Sequence, residues 1–178
     1  MQNVRLIYEQ IETAKGHLLA GGVLDCRLAL ILLDNAAELL MARTLRDRFD
    51  FDDFFYPQDG GARLPNTMRA KYTSEERKGA EWEFEPKLRI LGFRMGKLSL
   101  EERSIFKVCH RLRNEAFHAG TLRHSILSQT VSLLFQATVA LTRKLPLQTF
   151  VLPGPHPPAA DARFLTRFEI DDAMRPIS

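Results

Sequence analysis

Near the start of the chain, apolar residues recur at Ile7, Ile11, Ala14 and Leu18. Steps of four, three and four place these side chains on one helical face. Residues 4–20 are therefore expected to form an amphipathic helix, stopped by Gly21-Gly22. A second helix is expected over residues 23–48. Its middle, Leu28-Ala29-Leu30-Ile31-Leu32-Leu33, is apolar nearly all round, as in a helix at the centre of a bundle or between two subunits. Asp34, Asn35 and Glu38 form a polar island within it, and Asp34 and Glu38, four apart, share a face. A polar island in such surroundings needs partners. It either bridges to a neighbouring helix or faces a functional cleft.

The helical period lapses over residues 49–61, where Asp alternates with Phe and Tyr before turn residues. This stretch reads as a loop insertion extending to residue 66. Asp50, Asp52 and Asp53 lack the Gly and terminal Glu of an EF-hand loop, so a solvated acidic loop is expected. Residues 62–83 are polar and read as mixed helix and loop. Pro86 sits in the first turn of a short helix with Leu88, Ile90 and Leu91, loosened at its end by Gly92 and Gly96. Ser99 and Glu102 make a capping box that starts a helix ending near Ala119, with Gly120 as its stop. Thr121 caps the last helix, which runs to Leu145 with Val131, Leu134, Phe135, Thr138 and Leu141 as its core face. The Pro-rich sequence that follows has no period. The expected fold is all-α, a bundle of four to five helices. Residues 1–148 form the helical domain, with the 49–66 insertion, and residues 149–178 form a Pro-rich tail or linker.

Composition refines this picture modestly. A chain of 178 residues that is 45% apolar suits one domain with a real core. The 25 Lys and Arg against 22 Asp and Glu leave a net charge of only +3, so any basic surface must be local. Residues 99–145 do carry a local excess, seven Lys and Arg against three Glu. Cys26 and Cys109 form no CxxC pair, which argues against structural zinc and for reduced, buried thiols. No basic stub followed by an apolar run opens the chain, and the run from Leu28 to Leu33 is far short of the ~20 residues that span a bilayer. A cytoplasmic protein without membrane association is expected.

The helix from Ser99 carries the chemistry. Ile105, Cys109, Leu112, Ala116 and Ala119 form one apolar stripe; Phe106, Phe117 and, less regularly, His110 form a second, with Arg113 between them. Two stripes need two surfaces, either another helix of the chain or a second subunit. The helix ends Leu112-Arg113-Asn114-Glu115-Ala116-Phe117-His118-Ala119-Gly120. An Arg, a polar residue directly after it and a His five positions on resemble the motif of the HEPN family. The segment LALILLDNAAELL is similar to that family's long central helix, and the helix order over residues 4–145 fits as well.

The resemblance implies a HEPN-like bundle that homodimerises through the helix carrying Arg113 and His118. It also implies metal-independent cleavage of RNA by attack of the 2′-hydroxyl on the adjacent phosphorus, leaving a cyclic phosphate and a 5′-hydroxyl. Active members are often toxins or phage-defence effectors restrained by an antitoxin or other protein partner. Other members only bind RNA or a protein, and a purely structural dimerisation domain is a third reading. The chemistry suits the residue types. His118 titrates near neutrality and serves as base or acid. Arg113 holds phosphate oxygens in a planar fork. Asn114 both donates and accepts. Arg111, Arg123 and His124 are the flanking candidates for RNA contacts. His110, Asn114 and His118 recur at steps of four but offer neither carboxylate nor thiolate, so no metal or other cofactor is expected. Five residues on a regular helix turn Arg113 and His118 about 140° apart. A site composed from two chains resolves that geometry best.

Overall fold

The computed structural model describes residues 2–55, 72–119 and 124–145, with side chains for 5–53, 72–115 and 126–145. The described residues are all-α: helices α1 (Gln2–Ala20), α2 (Val23–Phe55), α3 (Ser74–Trp82), α4 (Phe84–Arg89), α5 (Leu100–Ala119) and α6 (His124–Lys144), with a π-helical turn at Ile90–Arg94 continuing α4. No strand occurs among them.

α1 and α2 form an antiparallel hairpin. Gly21 takes φ +71°, a left-handed conformation that glycine adopts without steric cost, and its N–H returns to the His17 carbonyl at 3.2 Å. His17 Nδ1 meets Asp25 Oδ1 across the turn at 2.8 Å, and Asn35 donates to Gln10 at 2.9 Å further along. The expected face of α1 is correct: Ile7, Ile11 and Ala14 are buried and Leu18 packs against the core.

α2 is the hub and packs against α1, α3, α4, α5 and α6. Ala29, Leu30, Leu33, Ala36, Ala37, Leu40 and Met41 each have no measurable exposure. Its apolar middle is not enclosed on all sides, however. Leu28 keeps 36% of its surface exposed, and Leu24, one turn earlier, keeps 68%. α2 also runs seven residues past the expected boundary at Arg48. Phe49 packs against the core and meets Tyr72 edge-on at 5.2 Å. Asp52 is fully buried beside Arg48 (3.6 Å) and Arg77 (3.9 Å), while Arg77 donates to Asp53 at 2.6 Å. The aspartates at 52 and 53 are thus tied to cations and do not form a solvated loop. Residues 56–66 of the expected insertion, Thr121 and the 149–178 tail lie outside the described residues.

Two capping boxes define the middle of the chain. Thr73 Oγ1 accepts from the Glu76 N–H at 3.1 Å, and the Thr73 N–H donates to the Glu76 carboxylate at 3.0 Å. Ser99 and Glu102 repeat the arrangement at 3.1 and 2.8 Å, as their spacing implies. The π-turn closes with the Met95 N–H on the Ile90 carbonyl (3.0 Å) and the Lys97 N–H on the Leu91 carbonyl (2.8 Å). Gly96, at φ +63°, makes that reversal. α5 and α6 run antiparallel, pinned by Lys144 on both Glu102 oxygens at 2.6 and 2.7 Å. Val131, Leu134, Phe135, Thr138 and Leu141 form the buried face of α6, as the spacing predicts.

Candidate functional site

Three helices each contribute a pair of residues one turn apart, and the pairs converge. α2 supplies Asp34 and Glu38, α5 supplies His110 and Arg113, and α4 supplies Phe84 and Lys87. Asp34 is only 2% exposed and accepts a 2.8 Å hydrogen bond from Arg113 Nε. His110 Nδ1 lies 3.1 and 3.3 Å from the two Asp34 oxygens. Its imidazole stacks on the Phe84 ring at 3.8 Å with planes 3° apart. Lys87 Nζ, buried, donates to Glu38 at 2.9 Å, and Arg113 Nη2 lies 3.9 Å from the same carboxylate.

The electrostatics balance: two carboxylates face two permanent cations. A carboxylate as buried as Asp34 must be paired or hydrogen-bonded, and both conditions are met. His110 Nδ1 also lies 3.3 Å from Arg113 Nη2. Nδ1 thus faces an acceptor, Asp34, and a donor, Arg113, and the tautomer decides which of the two it serves. Arg113 gives its Nε to Asp34 and turns Nη2 toward His110 and Glu38, and its side chain remains 27% exposed. Cys109, on the same helix, is buried. Burial, reinforced by the Asp34 charge, pushes its thiol up to about 12, so it stays protonated and unreactive near neutrality.

Asp34, Glu38 and His110 bring ligand atoms within 4.8 Å of one another, a spacing a metal ion could use. Arg113 and Lys87 already neutralise those carboxylates, so a divalent ion would have to displace both. The cluster is built as an ion-pair network.

Of the residues singled out by sequence, Arg113 stands at the centre of this cluster. Asn114 is half-buried on the same turn, without a side-chain hydrogen bond among the described residues. Arg111 is 71% exposed and pairs with Glu115 at 3.6 Å on the outer face of α5. His118 belongs to α5 and His124 opens α6, but their side chains lie outside the described residues, as does all of Arg123. The polar island divides: Asp34 and Glu38 turn inward, and Asn35 turns outward to α1. Of the second α5 stripe, Phe106 is buried and His110 sits on Phe84, while the Phe117 side chain lies outside the described residues. Phe84 and Lys87 escaped the sequence reading. Their three-residue spacing beside Pro86 was the available signal, but nothing local shows that Lys87 meets Glu38, 49 residues away.

Comparisons with protein-family models, with curated proteins and with solved structures find no match.

Proposed function

We propose that this chain is a metal-independent endoribonuclease of HEPN type. In this reading its helices form a HEPN-like bundle that works as a homodimer, as the toxin or effector of a toxin–antitoxin or phage-defence system. One observation carries the reading. Arg113, five residues before His118 on one helix, is held through Nε by a buried carboxylate while its side chain stays 27% exposed. Pre-orientation of this kind is what a phosphate-binding cation needs, because no reorganisation is required as charge develops.

In the proposed reaction a base removes the proton of the ribose 2′-hydroxyl. The freed oxygen attacks the adjacent phosphorus, and the bond to the 5′-oxygen breaks. An acid protonates that leaving oxygen, giving a cyclic phosphate and a 5′-hydroxyl. Arg113 holds the phosphate oxygens, and Asn114 lies one residue on to orient the phosphate or the imidazole. His118 is the acid–base group of the motif. His110, with Nδ1 beside Asp34, places an imidazole in the Arg113 cluster.

The experiment is RNA cleavage by the purified protein in EDTA, beside Arg113→Ala and His118→Ala. Loss of about 100-fold or more in each variant, with folding intact, is the expected result. The full pairing of Asp34 and Glu38 favours a second reading, in which Arg113 is a structural lock in a non-catalytic module. Under that reading Arg113→Ala lowers stability and wild-type protein cleaves none of the RNAs tested.

A further inference from the structure

The π-turn after α4 is a second feature that points outward. Phe93 is 71% exposed, and the Arg103 guanidinium lies over its ring at 3.9 Å from the centroid. Arg103 reaches that position by crossing Gly92. A Cβ there would stand 2.4 Å from Arg103 Cδ and 2.9 Å from its Nε, so only glycine leaves the path open. The extra residue of the π-turn sets Gly92 beneath the arginine and Phe93 outside it. Arg89, Arg94 and Lys97, each within four residues of Phe93 in the chain, are exposed. Arg94 contacts Glu76 at 3.4 Å, and Arg89 adds to the positive field at that carboxylate. Neither Arg89 nor Lys97 forms an ion pair among the described residues. The nearby Glu102 is occupied by Lys144 and by the Ser99 cap. One face of an exposed aromatic ring is thus backed by a guanidinium, and three further cations, Arg89, Arg94 and Lys97, lie within four residues of it in the chain.

From this geometry we propose that Phe93, Arg89, Arg94, Lys97 and Arg103 form an accessory site for single-stranded RNA. An unpaired base stacks on the exposed ring of Phe93, and its flanking phosphates lie on these cations. Aromatic rings with cations are how proteins hold single strands without reading sequence. An acidic peptide without aromatic side chains would use the cations but leave the ring without a stacking partner. The choice of RNA over other polyanions rests on the proposed nuclease function. Placement supports it: seven residues separate Arg103 from His110, so the two lie on one side of α5, about 11 Å apart along its axis. One strand can reach from Phe93 toward Arg113.

The test is binding of a short, labelled, unstructured 2′-O-methyl RNA by the full chain, followed by fluorescence anisotropy. This probe has no 2′-hydroxyl to attack, so binding is read separately from cleavage. Phe93→Ala is expected to weaken binding about tenfold, and Phe93→Trp to preserve it. Arg89→Ala and Lys97→Ala should each reduce the slope of log affinity against log salt by about 0.7. Arg5→Ala, which removes the same charge from an 80% exposed position on α1, should have little effect. The proposal is overturned if Phe93→Ala binds like wild type, if Arg5→Ala weakens binding as much as Lys97→Ala, or if polyglutamate displaces the probe as readily as unlabelled RNA does. Unaltered binding of this probe by a protein that cleaves no ordinary RNA would sink the nuclease reading and leave this site standing.

Discussion

Arg113 and Asp34 hold each other across 79 residues of chain, and each explains the other's tolerance of its surroundings. Removing one partner should therefore be costly in a way that removing both is not. Asp34→Asn and Arg113→Ala, combined in a double-mutant cycle followed by urea denaturation, should show a coupling of roughly 1.5–3 kcal/mol. Replacing the pair together, Asp34→Leu with Arg113→Met, should recover much of the loss, because apolar contacts substitute for buried ions at little net cost. Additive single effects would mean that the two side chains do not act on each other in solution. At this scale the sequence was half legible. The Arg-x4-His spacing pointed to Arg113, and the Asp34–Glu38 step pointed to an inward polar face. That these two features meet, with His110 wedged against Phe84, depends on how three helices pack.

Among the elements, short-range signals translated most directly. The Ser99–Glu102 box, Pro86 in the first turn of α4 and the four-three-four stripe of α1 all involve residues a turn apart. Local chemistry decides them before any packing occurs. The end of α2 was misread for the opposite reason. Its Asp–Phe alternation has no helical period, and the cation that stabilises it, Arg77, arrives from α3, 24 residues later. The caps make a pH-dependent prediction. Hydrogen bonding from the Thr73 N–H holds the Glu76 carboxyl below its ordinary value. At Glu102 burial pushes upward but is outweighed by Lys144 and the Ser99 N–H, so that carboxyl is also lowered. Groups lowered on folding contribute fully above the ordinary value of 4.5 and lose that contribution as pH falls through the depressed one. Thr73→Ala and Ser99→Ala should each cost about 1 kcal/mol near neutrality. Glu76→Gln and Glu102→Gln should be less stable than wild type at pH 7 and converge with it in acid. Thermal melts over an acid series check both sets, and a constant gap down to low pH would contradict the assignment.

For the whole molecule, a site composed from two chains has a consequence in mixtures. Suppose Arg113 of one subunit works with His118 of the other. Arg113→Ala and His118→Ala proteins, each inactive, should then regain activity when unfolded and refolded together. Half of the randomly formed dimers are mixed, and one of the two symmetry-related sites in each is intact, so about a quarter of wild-type cleavage should return. No recovery would place both residues of a working site within one subunit.

The buried end of α2 carries a different implication, for the order in which the molecule loosens. The Asp52 carboxylate has no exposure and no hydrogen bond, and among the described residues it is held by ion pairs to Arg48 and Arg77 at 3.6 and 3.9 Å. Nη2 and Nε of Arg77 are likewise buried without a hydrogen bond. Charges held this loosely inside protein gain by meeting water, so the last two turns of α2 should open as a unit while the Leu30–Met41 portion stays shut. Amide deuterium exchange would show this as early uptake across residues 48–55 and late uptake across 30–41. Asp52→Asn, which removes the charge but keeps the shape, should slow the early phase. α2 would then be one continuous rod built from two materials: a permanent axle in the core and a terminal segment that breathes with the solvent.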